Sequence, residues 1–226
     1  ARPSMPRRPR ADPGPCRWAL PDPALAPDGE DLVGLGADLE PSTVVAAYAT
    51  GLFPMDVADG RLGWWSPDPR GVLDPDDVHV SRSLRRSLRN FTYSVDQAFG
   101  AVVRACRDAR PREVWITDDF VDAYERLHEL GWAHSVEVWR ADELVGGLYG
   151  LELGGLFAAE SKFHHVTDAS KAAVVALART LSAAGGDRLV DVQWCTDHLA
   201  RLGVVAIPRT QYLGRLSQVL ETPPCL

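Results

Sequence analysis

The order of secondary-structure elements within residues 134–193 constrains the fold of this chain most. Three strand patterns come first, and one long apolar helix and one short strand follow them. The elements are predicted at His134–Arg140, Glu143–Gly150 and Gly155–Glu160 for the first strands, Asp168–Ala183 for the helix and Leu189–Gln193 for the last strand. Short turns make the first three strands antiparallel, whereas a strand reached through a crossover helix pairs in parallel. The order therefore predicts an α+β fold with a mixed sheet.

The rest of the chain divides by composition. Residues 1–15 carry arginines among prolines, a composition that cannot bury apolar surface, so this tail is predicted to be disordered. Residues 16–80 are dense in turns and are predicted to form a small N-terminal domain, and residues 81–226 are predicted to form the larger domain. Further helices are predicted at Thr43–Thr50, Asp96–Asp108, Asp118–Leu130, Thr196–Leu202 and Gln211–Leu220.

Composition excludes several classes of protein. The chain has 24 Lys and Arg residues against 31 Asp and Glu residues, a net charge of −7, so it is not a general nucleic-acid coat. A local basic patch can still attract RNA, because charges act mainly within about 8–10 Å. No apolar run approaches the roughly 18 residues of a membrane span. No P-loop, GxGxxG or HExxH motif is present, and the histidines lack metal-site spacing.

The cysteines bear on the compartment. Cys16, Cys106, Cys195 and Cys225 form no CxxC pair and match no zinc-site spacing, which fits reduced thiols. No residue range combines a basic start with the apolar stretch of a signal peptide. Together these features predict a cytoplasmic protein.

Residues 81–90 carry a run of basic side chains. Arg82, Arg85, Arg86 and Arg89 are spaced at i, i+3, i+4 and i+7, which on a helix places them on one face. Like charges at this spacing destabilise an isolated helix. Two interpretations remain open from the pattern alone. The arginines either contact an anionic polymer or form a solvated face neutralised by the preceding acids Asp74, Asp76 and Asp77.

The last predicted strand, Leu189–Gln193, carries a carboxylate at its centre. Asp191 shares one face of the strand with Leu189 and Gln193. An ionised Asp is costly to bury without partners, so Asp191 is either a hydrogen-bonded structural residue or a group that orients an amine or accepts a proton. Glu160, at the end of the third strand, is either a surface residue or part of a cleft.

Ten short stretches, taken in order, resemble one protein family. They are Gly34–Leu39, Tyr48–Pro54, Trp64–Arg70, Trp115–Thr117, Ala123–Gly131, His134–Arg140, Glu143–Gly147, Glu160-Ser161, Ala169–Lys171 and Asp191–Gln193 through His198. From about Leu32 to Leu213 the chain resembles the bacterial leucyl/phenylalanyl-tRNA–protein transferases. The resemblance implies a larger domain with the GNAT-type fold of acetyltransferases.

The resemblance also implies an activity and its partners. Such an aminoacyltransferase moves Leu or Phe, with Met as a further candidate, from aminoacyl-tRNA to the N-terminal Arg or Lys of an acceptor protein, which marks that protein for N-degron degradation. Aminoacyl-tRNA is a substrate, so no metal and no soluble cofactor are implied, and a monomer is expected. An alternative keeps the tRNA donor but transfers to a small-molecule amine, since Met55, Leu177 and Leu181 depart from the family's aromatic pattern.

The resemblance assigns the site residues as follows. Asp191 engages the acceptor amine, Gln193 lies near the same centre, and Glu160 lies at the ribose or aminoacyl end of the substrate. The pocket for the transferred side chain matches Leu148, Phe157, Leu177, Leu181 and Val190. The surroundings of the 3′ adenosine match Tyr48, Met55, Trp115 and Tyr124, and Ser161 is a further substrate-binding residue. The tRNA backbone is expected on Arg82, Arg85, Arg86 and Arg89.

Overall fold

The computed structural model of the chain describes residues 9–57, 60–109 and 115–226. The helices within these residues are α1 Pro41–Ala49, α2 Arg82–Ser87, α3 Phe99–Asp108, α4 Asp118–Glu129, α5 Ala169–Ala184, α6 Asp197–Ala200 and α7 Arg209–Val219. The strands are β1 Leu32–Leu35, β2 Phe53–Asp56, β3 Leu62–Trp65, β4 Arg70–Leu73, β5 Thr92–Val95, β6 Ala133–Arg140, β7 Glu143–Leu153, β8 Leu156–His164, β9 Leu189–Gln193 and β10 Val205–Ile207.

A seven-stranded sheet organises the molecule, in the order β10-β4-β9-β8-β7-β6-β5. Strands β5 to β8 pair antiparallel, whereas β8 and β9 pair in parallel, with Ala158 opposite Asp191. The predicted mixed sheet, its meander and its parallel crossover strand are therefore confirmed. Three further strands form a separate, smaller sheet in the order β1-β3-β2.

Helices cover both faces of the large sheet. On one face α5 packs with Val136 and Leu148 into one apolar cluster. On the other face α3 and α4 pack with Tyr149 and Leu151. Neighbouring residues of β7 thus face opposite helices, as the period of two requires. Both faces of the sheet are buried, which gives its central strands apolar residues on both sides.

Strand β4 belongs to the large sheet although it precedes residue 80. It pairs antiparallel with β9, where Val72 lies opposite Asp191, and with β10 on its other side. The larger sheet therefore includes residues before the predicted boundary at residues 80 and 81. The four residues of β4 follow a proline-rich stretch, and both partner strands lie more than a hundred positions further along the chain, so local pattern gave no sign of the pairing.

The prediction of disorder for residues 1–15 does not describe Arg10 and Ala11. Arg10 donates to Glu152 at 2.6 Å and to the Gly131 carbonyl at 3.0 Å, and its guanidinium lies 4.8 Å from the centre of the Trp132 ring. Ala11 bonds to the Leu130 carbonyl through its backbone N–H. A buried carboxylate and an aromatic face therefore hold this part of the tail. Residues 1–8 lie outside the described residues.

Two helices begin or end where local chemistry dictates. Helix α3 begins at Phe99 rather than Asp96, because Asp96 adopts a left-handed φ of 60° and accepts the backbone N–H of Ser135. Helix α2 ends at Ser87 and continues as a 3-10 turn over Leu88–Asn90, so Arg89 lies beyond the α-helix.

No helix of the described residues is long and apolar enough to cross a membrane.

Candidate active site

A cavity opens where β8 and β9 separate. The parallel pairing of these strands ends at Ala158 and Asp191. Beyond that point lies a cavity of about 840 Å³. Its wall includes Phe53, Pro54, Met55, Trp115, Leu148, Glu160, Ser161, Lys162, Ser170, Val174, Val192, Gln193, Trp194, His198 and Leu199. The wall joins apolar and aromatic side chains to a few polar groups, a composition typical of small-molecule sites.

A bulge in β8 aims Glu160 at this cavity. Tyr149 pairs with Ser161, but the next residue, Gly150, pairs with Ala159, so Glu160 has no opposing residue on β7. A Cβ atom on Gly150 would lie 2.1 Å from the Ala158 carbonyl oxygen, so the close approach of the strands requires glycine there. Bulges of this kind commonly re-aim a side chain beside an active site.

The Glu160 carboxyl sits in a low-polarity environment with two tyrosines. Tyr48 and Tyr124 are buried, their hydroxyls lie 2.7 Å apart, and both hydrogen-bond to Glu160. Burial, helped by the negative charge of Asp191, raises the pKa of Glu160 to about 8, although hydrogen bonds from the two tyrosines oppose the rise. At neutral pH this carboxyl is therefore mostly protonated and can donate a hydrogen bond.

Gln193 lies opposite Glu160 at the end of β9. Its backbone has a left-handed φ of 61°, a strained conformation for a residue other than glycine. The hydrogen bonds of the Gln193 side-chain amide are best satisfied when its nitrogen donates to the carbonyls of Val192 and Ala159, each at 3.0 Å. The atom of the amide that faces Glu160 Oε1 across 3.4 Å is then an oxygen, and a hydrogen bond there requires the proton on Glu160.

Asp191 lies behind the cavity wall in a buried charged network. Its side chain and that of Arg70 are both 0% exposed. Arg70 donates to both carboxylate oxygens, at 2.9 and 2.6 Å. The Tyr212 hydroxyl donates to one oxygen at 3.0 Å, and the backbone N–H of Gln193 donates to the other at 2.9 Å. The carboxylate thus fixes the backbone of Gln193 at its strained position.

The same network ties the two sheets together. Arg70 also donates to the Gly51 carbonyl at 3.2 Å, and its guanidinium lies 4.9 Å from the centre of the Phe53 ring. Phe53 is the first residue of β2 in the small sheet and Gly51 lies just before it, whereas Asp191 belongs to the large sheet. Bidentate geometry and the further donors satisfy the buried charges, which would otherwise be costly in this environment.

The structure brings some of the predicted site residues to the cavity and places others behind it. The cavity wall includes Met55, Trp115, Leu148, Glu160, Ser161 and Gln193. Tyr48 and Tyr124 support Glu160 from behind, and Asp191 supports Gln193. The remaining predicted pocket residues are buried in the core that contains Leu148, namely Phe157, Leu177, Leu181 and Val190. Leu148 is therefore the member of the predicted apolar pocket that reaches the cavity.

Sequence reasoning missed part of the apolar wall. Val174 lies one turn before Leu177 on α5 and lines the cavity, as Leu199 does from α6. Trp194 follows Gln193 directly and packs edge-on against Phe53, with ring centres 5.4 Å apart. The Trp194 ring N–H donates to Asp31 at 2.8 Å, which fixes its orientation. In the sequence, the sign that Trp194 belongs to the site is its position directly after the candidate residue Gln193.

The arginines of residues 82–89 are exposed, and their side chains form no ion pair with a carboxylate of the described residues. The preceding acids have other partners. Asp74 pairs with Arg215 at 3.5 Å, and Asp76 accepts a hydrogen bond from Ser182. Because Asp74 and Asp76 have other partners, they do not neutralise the arginines. The arrangement therefore favours the other interpretation, in which the basic surface contacts an external anion.

No group of three or more His, Cys, Asp or Glu side chains among residues 9–57, 60–109 and 115–226 is arranged to hold a metal ion.

Comparison with known proteins places the sequence in one family. The family model "Leucyl/phenylalanyl-tRNA protein transferase" matches residues 72–217, and the model of that family's N-terminal domain matches residues 37–68. A leucyl/phenylalanyl-tRNA–protein transferase of Anaeromyxobacter sp. (strain K) is 52% identical over 211 residues, which are 91% of this chain and 89% of the relative. One of Yersinia enterocolitica is 46% identical over 211 residues, which are 91% of this chain and 88% of the relative.

Among solved structures, L-PGS from Bacillus licheniformis matches 66% of this chain and 51% of its own, with 12% identity and a TM-score of 0.40. That likeness is weak, whereas the family model covers well over half of the chain and the curated relatives share about half of its residues. On these sequence matches, the chain belongs to the leucyl/phenylalanyl-tRNA–protein transferase family.

Proposed function

We propose that this protein transfers Leu or Phe from aminoacyl-tRNA to the N-terminal Arg or Lys of an acceptor protein. The observation that carries the proposal is the cavity between β8 and β9, which joins an aromatic and apolar wall to Glu160 and Gln193. It has the volume for an aminoacyl adenosine end together with an attacking amine. The product would be marked for N-degron degradation. The mixed sheet with one parallel pair supports a GNAT-like larger domain, and a cytoplasmic monomer is part of the same proposal.

The reaction is aminolysis of an ester. The neutral α-amine of the acceptor attacks the aminoacyl carbonyl carbon, a C–N bond forms, and the C–O bond to the 3′ hydroxyl of adenosine breaks. The amine loses one proton and the leaving oxygen gains one, so no external oxidant, reductant or further cofactor is needed. Because the ester is already activated, holding the two reactants in line supplies much of the rate, up to about 7–11 kcal/mol in the ideal limit.

Glu160 and Gln193 are proposed to act directly on the reacting groups. At neutral pH the protonated Glu160 can donate a hydrogen bond to the ribose or to the developing charge on the carbonyl oxygen. The oxygen of the Gln193 amide can accept a hydrogen bond from the attacking amine. Modest proton-transfer help of about 10²–10⁴-fold would then suffice.

Asp191 is proposed to act on the amine through Gln193. Its four hydrogen bonds come from Arg70, Tyr212 and the Gln193 backbone, and its side chain is fully buried. It is therefore a positioning residue in this arrangement, because it sets where the Gln193 amide lies. Its negative charge also raises the pKa of Glu160, so it helps to keep that carboxyl protonated.

The apolar part of the wall is proposed to select the transferred side chain. Leu148, Val174 and Leu199 line it, and the buried residues Phe157, Leu177, Leu181 and Val190 back it. Met55 and Trp115, at the other part of the wall, are proposed to hold the adenosine. Apolar pockets separate side chains that differ by one methylene by only about 1–3 kcal/mol, so both Leu and Phe are expected as substrates.

One transfer assay tests the proposal. Labelled Leu-tRNA, Phe-tRNA and Met-tRNA are each offered to three peptides that differ only in an N-terminal Arg, Lys or Ala. We expect transfer to Arg and Lys but not to Ala, and the ranking of donors reports the preference of the apolar wall. Equal transfer to all three peptides would contradict the acceptor assignment. Aminoacyl-tRNA binding without transfer to any peptide would indicate a different acceptor, such as a small-molecule amine.

A further inference from the structure

A second cavity adjoins the candidate active site and shares one residue with it. This second cavity, of about 580 Å³, is lined by residues of α2, by the start of α5 and by the segment that follows α6. His198, on α6, lines both cavities. The side chain of His198 is exposed, so it stands at the junction of the two rather than in the core.

The junction around His198 is rich in cationic groups from three separate elements. Lys162 on β8 lines the first cavity, and Arg201 after α6 and Lys171 on α5 line the second. Burial lowers the pKa of His198, and the positive charges of Lys171, Lys162 and Arg201 lower it further. Each of these three cations is therefore close enough to act on His198. A cluster of cations in a concave site raises the local concentration of anions.

One cation of the junction, Lys171, is paired with a carboxylate, whereas Arg201 is paired with none of the described residues. Asp168 is the acidic side chain among the residues that line the second cavity, and it already has two partners. Lys171 donates to one of its oxygens and Ser87 to the other, each at 2.8 Å. Lys171 is thereby largely compensated. Arg201 forms no ion pair with a carboxylate within the described part of the chain.

The second cavity connects the first with the exposed arginines of α2. Ser81, Ser83 and Leu84 line it, and they alternate along the chain with Arg82 and Arg85. The two cavities, which meet at His198, therefore mark out a path from Glu160 past Arg201 to residues of α2. Both ends of this path suit parts of one RNA, a terminal aminoacyl nucleotide at one end and a phosphate backbone at the other.

We propose that His198, Arg201 and Lys162 bind the phosphodiester backbone of the single-stranded 3′ end of aminoacyl-tRNA, between the terminal nucleotide and the part that lies on α2. This inference rests on the proposed function and adds a binding site to it. Arg and Lys suit phosphate oxygens, Arg with a bidentate fork and Lys with a compact charge, and His198 adds a ring N–H donor. These contacts would orient the single strand so that its 3′ end enters the first cavity.

The test compares the affinities of three unreactive donor analogues, in each of which an amide replaces the aminoacyl ester. They are leucyl-adenosine, which has no phosphodiester, the leucyl 3′-terminal trinucleotide, and full-length leucyl-tRNA. The variants are Arg201→Glu and, for the basic helix, Arg85→Glu combined with Arg86→Glu. Arg140→Glu is the matched charge control, because Arg140 is exposed at the end of β6 and lines neither cavity.

We expect Arg201→Glu to weaken binding of the trinucleotide and of the tRNA by roughly 10- to 100-fold relative to leucyl-adenosine. The slope of log affinity against log salt should become shallower by about 1. The double variant of α2 should weaken the tRNA alone, and the Arg140→Glu control should change none of the ratios. If Arg201→Glu fails to fold, Lys162→Gln offers the same comparison with a smaller effect.

Three results would overturn the inference. An equal loss on all three analogues would show that Arg201 acts on the first cavity or on the fold. A loss on the tRNA alone would place Arg201 against the duplex, and no loss would remove it from the RNA path. Because the analogues bind without reacting, these results are independent of whether the wild-type protein transfers an amino acid to peptides, which is the test of the proposed function.

Discussion

Arg70 and the arginines of α2 show two opposite uses of the same side chain in one molecule. Arg70 is fully buried and donates to both oxygens of Asp191. Arg85 and Arg86 are exposed and form no ion pair with a carboxylate of the described residues. The buried arginine fixes the position of other groups and is shielded from salt. The exposed ones add little to folding and remain available to a partner.

The comparison teaches that burial rather than charge separates the arginine that holds the fold together from the arginines that are open to a partner. Asp191, named as the residue nearest the chemistry, lies with Arg70 behind the wall, and Gln193 in front of it reaches the cavity. A charged residue in a central strand thus acts through geometry. The surface charges are open to solvent, so any attraction that they exert on a partner is screened by salt.

The largest effect should come from removing Arg70. The variant Arg70→Ala leaves Asp191 buried with too few donors, so we expect the free energy of unfolding to fall by about 3–5 kcal/mol. Arg86→Ala, the matched change at an exposed site, should stay within about 0.5 kcal/mol of wild type. Urea denaturation of both variants measures the difference. Equal midpoints would show that the buried pair contributes no more than a surface charge.

A double variant separates stability from catalysis at the same site. Replacing the pair by apolar residues, Arg70→Met with Asp191→Leu, removes both buried charges and is expected to recover most of the lost stability. Transfer activity should not recover, because nothing then holds the Gln193 backbone N–H. A stable double variant with wild-type transfer would contradict the positioning of Gln193 by Asp191.

The next effect should come from the exposed side of the comparison. Reversing two charges in Arg85→Glu with Arg86→Glu should weaken aminoacyl-tRNA binding by roughly 10- to 100-fold and make its salt dependence shallower by about 2. Stability should hardly change, because both side chains are exposed. Binding measured over a range of salt concentrations checks this expectation, and an unchanged slope would remove α2 from the interface.

The sequence predicted the part of the fold that depends on local pattern. Helix α4 and strand β9 lie where the local pattern of the sequence predicts them, and Thr117 caps α4 by accepting a hydrogen bond from the Phe120 N–H. The alternation in β9 is also observed, since Leu189 packs toward α7 and Val190 toward α5. In these segments the chain's own period decides the structure.

Long-range pairing explains what the sequence did not predict. Asp191 was recognised as exceptional in mid-strand, but its partner Arg70 is 121 positions away on a four-residue strand with no periodic signal. The bulge that presents Glu160 depends on the register between two strands rather than on either strand alone. The resemblance supplied the site residues, and the structure separated those in the wall from those behind it.

Asp38 is intermediate in burial between the fully buried Arg70 and the exposed arginines of α2. Its side chain is half-buried beside the exposed Arg17. Burial opposes its ionisation, but hydrogen bonds from Thr43, Trp18 and Arg17 lower the pKa of Asp38 to about 2. The folded state thus binds fewer protons than the unfolded state between pH 4 and pH 2. The stability that this carboxylate contributes is therefore present above pH 4 and lost as pH falls through 2.

We expect Asp38→Asn to lose about 1–2 kcal/mol of unfolding free energy at pH 7 and much less at pH 2. Denaturation at the two pH values measures the difference, with Asp12→Asn in the exposed N-terminal segment as the control. A loss that stays the same at both pH values would show that the side chain acts through shape and not through its charge. The expected size lies between those of the buried and the exposed arginine variants.

The smallest expected effect concerns Glu160, where burial acts without a full ion pair. Since its pKa is raised to about 8, the folded state binds more protons than the unfolded state between pH 4.5 and pH 8. Stability is therefore greatest below pH 4.5 and is lost as pH rises through 8, with a slope of at most about 1.4 kcal/mol per pH unit. The variant Glu160→Gln cannot titrate, so from pH 7 to pH 8 the wild type should lose about 1 kcal/mol relative to it. Parallel slopes for the two proteins would place the carboxyl in contact with water and would end its assignment as a hydrogen-bond donor at neutral pH.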